Sequence, residues 1–428
     1  MKLFQRLLVA PAALGLMAPL AANADVTPVS NESDLRSEVI QARVDGVEAQ
    51  LGEIMAGQFS SSTKMSGKAA FITGYVDDDA ETNTDEITME YMYQLNLNTS
   101  FTGEDNLYTR IKTGNVSDHF KDKGQGTYLS AANGNGSVLK VDKLWYQFPV
   151  GDSLQVWVGP RIENYYMLAS APSIYKPVTK QFALGGNGSA YGSSTSPGFG
   201  IAWTQNVEDP SEARFAISAN YTSKDGASST SGLSNDDSRS FLLTKVEYGS
   251  PTWQVSAAMA NKSAPTASCN GYDAYFHTAM VGDNGKTTDT TCTGGDMTAY
   301  GLRGYWRPQE TGAIPEVQVG YDFASYDEAT AGEAEDTAGW MVGLGWKDLF
   351  IDGNRAGVAF GSAQAATSVK SGGSVTEDPE EDNTRWEAYY TFKVNDGVSV
   401  TPAIFGGSDT GAANQDVNGA VLLTEFRF

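Results

Sequence analysis

The sequence predicts an all-β protein: a sixteen-stranded antiparallel up-and-down transmembrane β-barrel, preceded by a short coiled-coil-like helix. Three observations predict it. From Gly67 onward apolar residues alternate with polar ones at a period of two. The connections between these segments alternate between tight turns and long loops. The chain ends on an aromatic residue, Phe428, at the close of one such segment.

The first residues predict a secretory signal peptide at 1–24. Lys2 and Arg6 give a positive start, Leu7 to Ala22 an apolar stretch, and Ala22-Asn23-Ala24 a small-residue cleavage site, so that Asp25 begins the mature chain. A transmembrane anchor is the alternative. Pro11, Gly15 and Pro19 interrupt the apolar run, and no basic stop-transfer flank follows it.

Residues 25–60 read as a linker and a heptad helix. Over 33–57, Ile40, Val44, Val47, Leu51 and Ile54 recur at spacings of four and three, with Ser33 placed to cap the helix and Gly57 to end it. So short a helix is marginal alone in water. It is expected to pack either on copies of itself, two or three together, or beneath the barrel as a plug. Gly46 and Gly52 weaken the first option.

The barrel is expected over 61–428. Its pattern is clearest at 87–101. There Ile87, Met89, Tyr91, Tyr93, Leu95, Leu97, Thr99 and Phe101 share one face, opposite the mostly polar Thr88, Glu90, Met92, Gln94, Asn96, Asn98 and Ser100. Strands are predicted near 67–76, 86–102, 106–117, 137–149, 153–161, 196–206, 212–224, 238–249, 252–262, 295–308, 313–326, 337–347, 354–366, 383–395, 398–408 and 416–428. Gly103-Glu104-Asp105, Gly151-Asp152, Gly249-Ser250-Pro251 and Asn395-Asp396-Gly397 are tight turns, whereas 118–136, 162–195, 263–294 and 367–382 are long. Long loops at one end and short turns at the other suit an outer-membrane barrel better than a soluble sandwich. Hydrocarbon cannot hydrogen-bond a free strand edge, so the first strand is expected to join the last. Sixteen strands leave an aqueous channel rather than a filled core. Aromatics near strand ends, among them Tyr248, Trp253, Trp306, Tyr321 and Trp346, fit interfacial girdles.

A formal charge of −23, from 52 acidic and 29 basic residues, argues against nucleic acid as a partner. Cys269 and Cys292 sit in one Gly/Thr/Asp-rich stretch and are expected to oxidise to a disulfide once exported. Only His277 lies near them, too few ligands for zinc. No cofactor is expected. His119 and His277 are the only histidines, both in expected outer loops, and no serine sits in a nucleophile elbow, so no enzyme is expected.

The third long loop, about 162–195, differs from its acidic neighbours. It is rich in small residues and carries Lys176 and Lys180 with Glu163, Tyr165, Tyr166, Tyr175, Phe182 and Tyr191, with Arg161 at its start. Such a loop suits folding inward, and Arg161, Tyr165, Tyr166, Lys176 and Lys180 are the expected constriction. Strand parity sends Arg110, Lys112, Lys140, Arg214, Lys245, Arg303 and Arg355 to the channel wall, with Tyr108, Asp142, Glu247, Glu387 and Lys393. On the lipid face a Lys or Arg would cost ~2–4 kcal/mol at the midplane.

Three stretches carry a family resemblance: the opening Met1 to Leu14, Val156-Trp157-Val158-Gly159-Pro160-Arg161 running into Tyr166-Met167-Leu168-Ala169, and the terminal Phe428. In these the chain resembles the porins of marine cyanobacteria, grouped with the carbohydrate-selective (OprB-type) porins and also labelled iron-uptake porins. The resemblance implies an outer-membrane channel, often a homotrimer, passing sugars or inorganic ions. It also implies recognition of the last strand, through Phe428 with Phe426 and Leu422, by barrel-assembly machinery. Relatives commonly carry a surface-layer-homology domain between signal and coil. Here Asp25 to Glu32 alone intervene, so anchoring to the wall through that domain is not expected.

The leading expectation is a diffusion channel for ions and small hydrophilic solutes. It should prefer anions weakly, because cations at a constriction outweigh acidic groups on hydrated, screened outer loops. One alternative is a sugar-selective channel with an aromatic track. Another is a plugged structural or adhesive surface barrel.

Overall fold

A computed structural model describes residues 62–428 apart from 79–85, 123, 187–188, 193–194, 236–237, 264–279, 282–286, 289–295, 328–333, 370–382 and 411–414. The predicted helix over 33–57 and both Cys269 and Cys292 lie outside the described residues.

Sixteen strands form the wall, as expected. They are β1 (Thr63–Asp78), β2 (Thr88–Thr99), β3 (Asn106–Gly114), β4 (Lys140–Val150), β5 (Leu154–Ile162), β6 (Ser196–Thr204), β7 (Arg214–Ser223) and β8 (Ser240–Ser250). There follow β9 (Trp253–Ser263), β10 (Met297–Trp306), β11 (Glu316–Tyr326), β12 (Ala334–Lys347), β13, β14 (Thr384–Lys393), β15 (Val398–Thr410) and β16 (Gln415–Arg427). The predicted single strand at 354–366 is in two pieces, Arg355–Ser362 and Ala365–Val369, which together make β13. Its first piece pairs with both β12 and β14, and its second with β12. No α-helix occurs among the described residues, where short 3-10 turns take that place.

Each strand pairs antiparallel with its neighbours in sequence, and β1 also pairs with β16, which closes the ring. The seam is long, from Lys68 opposite Arg427 to Asp78 opposite Val417. Phe428 and Gly67 exchange two backbone hydrogen bonds at its end, and the Phe428 ring stacks on Tyr93 at 6.1 Å. Closure gives every edge a partner, the condition a sheet must meet in hydrocarbon.

Alternation sorts the side chains. On β8, Phe241, Leu243, Lys245 and Glu247 are buried inside, while Leu242, Val246 and Tyr248 are exposed outside. The outer surface elsewhere is equally apolar, as at Phe199, Ile201, Trp203, Val255, Leu302, Val319 and Leu422. The expected alternation of connection length is not strict. The connection 205–213 at the turn end is longer than 411–414 at the loop end. Which end a connection belongs to follows from strand direction, not from its length.

The turns are held locally. Asp105, just before β3, accepts hydrogen bonds from Phe101 N, Thr102 N, Ser100 Oγ and Tyr146 Oη. The Tyr146 bond and then those from the turn hold its carboxyl well below the usual carboxylate range.

Candidate functional site: an inward-folded third loop

The third loop, L3 (163–195), crosses the interior of the ring and is bonded to side chains from much of its circumference. Asn220 of β7 donates to Asn164 O at 3.0 Å. Lys245 of β8 donates to Ser170 O at 3.0 Å and pairs with Glu247. Lys262 of β9 donates to Gly192 O at 2.7 Å. Arg303 of β10 donates from Nε to Leu184 O at 2.7 Å and from Nη2 to both carboxylate oxygens of Asp322 of β11 at 2.8 and 2.9 Å. Backbone N–H of Ile174 donates to Gln318 Oε1 of β11 at 3.1 Å. A loop lying outside the rim would reach none of these.

The firmest tie is at β14. Glu387 is fully buried and accepts four hydrogen bonds from L3. Tyr175 Oη (2.9 Å) and Val178 N (3.1 Å) donate to Oε1, and Thr179 N (2.8 Å) and Oγ1 (2.6 Å) to Oε2. Close backbone approach is visible too. At Gly320, a Cβ would stand 1.6 Å from Gly185 O, so only glycine lets the loop meet β11 here.

Tyr165 and Tyr166 begin L3, and their rings continue a run that starts on the wall. Tyr108 and Trp145 lie 4.3 Å apart, Trp145 and Tyr166 4.9 Å, Tyr166 and Tyr165 4.7 Å. Arg110 reaches Tyr166 Oη at 3.2 Å and pairs with Asp142. Lys112 lies within electrostatic reach of Lys180, Arg110 and Lys68. Lys180 sits over the Tyr128 ring, 3.7 Å from its centre. Lys176 and Arg355 line the same open space. Arg161, Lys140 and Arg214 are not brought into these groups. Arg161 is exposed beside Ile162, which turns into the core with Trp145 and Met167.

Sequence parity missed one wall residue outright. Between β3 and β4 the register slips, so Arg110 faces Lys143 and Ile111 faces Val141, with Asp142 bulged between them. The bulge puts both Asp142 and Lys143 inside. Lys143 is buried and pairs with Glu163 of L3, whose other partner is the Tyr165 hydroxyl. Strict alternation from Asp142 puts Lys143 on the lipid side. Lys68, Arg307, Lys347 and Arg427 were also missed, although for Lys68 and Arg427 parity carried to the strand ends would have found them.

A cavity of about 750 Å³ lies at the turn end, between L3 residues 176–178 and the walls of β1 and β13–β16. A second space of about 180 Å³ continues from it past Lys176 toward Arg307 and Glu316. Together they are lined by Lys68, Lys176, Arg307, Lys347, Arg355, Lys393 and Arg427 against Glu316, Asp348, Asp396 and Glu425, which is 7 − 4 = 3 positive charges in excess. Glu316 lies between Lys347 (2.5 Å) and Arg307 (3.3 Å), Glu425 between Lys68 (2.6 Å) and Arg427 (2.9 Å), and Asp396 takes Lys393 (2.7 Å). Burial, then repulsion from Arg355 and Arg307, lowers the pKa of the Lys176 ammonium from its ordinary value.

No group of three or more His, Cys, Asp or Glu able to hold a metal occurs among the described residues. His119 meets Ser117 Oγ through Nδ1 at 3.0 Å and Thr88 Oγ1 through Nε2 at 3.0 Å, with Glu90 3.9 Å from Nε2, but Ser117 Oγ donates directly to Glu90 and so needs no imidazole relay. These groups tie the start of the second loop to β2.

Comparison with known proteins agrees with this geometry. An uncharacterized protein of Nostoc sp. is 26% identical over 415 residues, 90% of this chain and 68% of its own length. One of Synechocystis sp. is 23% identical over 414 residues, 87% of this chain and 70% of its own. Among solved structures, OprB of Pseudomonas putida superposes with a TM-score of 0.56 at 12% identity, covering 86% of this chain and 94% of that one, a likeness of fold. The model of the carbohydrate-selective porin family, OprB, matches residues 21–241, more than half of the chain. With a closed sixteen-strand barrel, an apolar outer face and a charged interior, the chain is an outer-membrane channel and not an enzyme, and it belongs to the OprB family of carbohydrate-selective porins.

Proposed function

We propose that the channel passes inorganic ions and small hydrophilic solutes by passive diffusion, with L3 as its constriction and a weak preference for anions. The observation that carries this reading is L3 inside the ring, holding Lys176 against a turn-end vestibule with three positive charges in excess. Cations close to the path act at short range in reduced dielectric, whereas acidic groups on the outer loops are screened within ~8 Å at physiological salt. Reversal potentials across a planar bilayer in a salt gradient test it. A modest anion selectivity is expected, reduced when Lys176 is made neutral. A clear cation selectivity unchanged by that substitution overturns it.

A second reading is favoured by the four-ring run from Tyr108 through Trp145 and Tyr166 to Tyr165. Such rings suit stacking on sugar faces, as the family's description suggests. Saturable block of the ion current by a neutral sugar, lost on Tyr165→Ala, supports this sugar-preferring form. The same proposal includes a signal peptide cleaved after Ala24, a homotrimer, and recognition of the strand ending in Phe428 by the barrel-assembly machinery.

A further inference from the structure

We propose that the turn-end vestibule contains an oxyanion site, centred on Lys176 and Arg355, that takes the phosphate group of a small solute. The proposal rests on the channel reading above and deepens it.

Three independent features converge. The first is pairing. The other five cations of the vestibule each have a carboxylate within ion-pair distance, and two of those carboxylates are shared. Among the described residues, Lys176 and Arg355 have no ion-pair partner. Asp348, the remaining acid, accepts a hydrogen bond from Gly353 N within its own turn. Asp348 reaches Arg355, and Glu316 reaches Lys176, only at longer range, and two cations without an ion pair facing one space favour a doubly charged guest over chloride.

The second is origin. Lys176 comes from L3 and Arg355 from the start of β13, and both line the large and the small cavity. L3's attachment to Glu387 of β14 holds Lys176 near Arg355 against their mutual repulsion: Val178 and Thr179, two and three residues after Lys176, are both bonded to that carboxylate. A guanidinium offers a planar fork to two oxygens, and an ammonium adds a point charge. A phosphate bears about −1.5 to −2 near neutral pH and presents three acceptor oxygens.

The third is room. About 750 Å³ is within the range of sites for small organic ligands, ~300–1,000 Å³. The rest of the lining includes Ser130, Tyr389, Thr391, Ser399 and Thr401, whose hydroxyls suit a hydroxyl-bearing body attached to the phosphate. Inorganic phosphate and a phosphomonoester share the recognised group.

The test uses the full chain, folded, in planar bilayers and in detergent. Inorganic phosphate, glucose 6-phosphate and glucose are added in turn to a chloride current. Saturable block by either phosphate compound, at concentrations where glucose does not act, is expected. The half-blocking concentration should rise at least tenfold in K176Q/R355Q, and Lys140→Gln should leave it unchanged. Stronger block by glucose 6-phosphate than by phosphate identifies the monoester as the preferred guest. Block equal for glucose, block without saturation, or a double variant that blocks like the parent overturns the site while leaving the channel intact. Absence of any current overturns the channel reading instead. Titration calorimetry with phosphate on the detergent-solubilised protein then decides the site by itself: saturable heat lost in the double variant supports it, and no heat overturns it.

Discussion

Replacing Glu387 should release the middle of L3 without opening the barrel. The side chain is buried, and its two oxygens accept from two backbone N–H groups and two hydroxyls of a segment more than two hundred residues away. The hydroxyls of Tyr175 and Thr179 can turn to other acceptors, but the N–H groups of Val178 and Thr179 cannot. Leaving a buried donor unpaired costs about 1–3 kcal/mol. Glu387→Ala strands both, about 2–6 kcal/mol, reduced where water enters from the lumen. Glu387→Gln strands at least one, because the amide nitrogen faces either Val178 N–H or Thr179 N–H whichever way it is turned. A loss of about 3 kcal/mol lowers the attached-to-released ratio roughly 100-fold. The anchors at Lys245 and Arg303 remain, so movement is confined to the stretch around 174–182. Single-channel recordings should show larger open-channel noise and a higher mean conductance, ordered Ala above Gln above parent. A heat-modifiable band on gels checks that the ring is closed. A folded E387A with the conductance and noise of the parent would refute this anchoring.

Lys143→Met should destabilise the barrel to urea by about 3 kcal/mol, because it leaves Glu163 half-enclosed beside a single hydroxyl, and K143M/E163Q should recover most of the loss. Asp225, in the loop after β7, is held down to about 2, chiefly by the side-chain hydrogen bond from Arg239. A depressed carboxyl stabilises the folded loop fully above its ordinary range near ~4 and loses that contribution as the pH falls through about 2. Pepsin cleavage between 226 and 235 should therefore rise over that window in the parent and show no such rise in D225N. Deleting Phe428 removes two backbone hydrogen bonds at the seam and the stack on Tyr93, and should lower the heat-modifiable fraction recovered from outer membranes. Cys269 and Cys292, if linked, contribute about 3 kcal/mol in the chain-entropy model; free thiols found by mass spectrometry in protein from intact membranes would exclude the bond.

Much of the fold was legible because the bilayer restricts what a chain can do. A spanning sheet must alternate, must close, and must keep its cations off the lipid face. Lys245, Arg303 and Glu387 could therefore be placed inside from parity alone, and the strand count could be read from the recurrence of short alternating segments. Parity failed at Asp142, where one bulged residue reverses the phase and brings Lys143 in. It stopped short at Arg307 and Lys347, which lie at and just beyond strand ends, where alternation no longer binds.

By itself, then, the sequence determined the barrel, its direction of alternation and the unusual composition of the third loop. Only the tertiary structure decided how that loop is held and which charges it leaves available. Glu387 and Val178, or Lys176 and Arg355, are brought together by ring closure and by register between distant strands. Whether a cation is neutralised depends on the carboxylate within about 4 Å of it in space, as Glu316 is for Lys347 and none is for Lys176 among the described residues. No local pattern encodes that distance, because it is set jointly by every strand between the two partners.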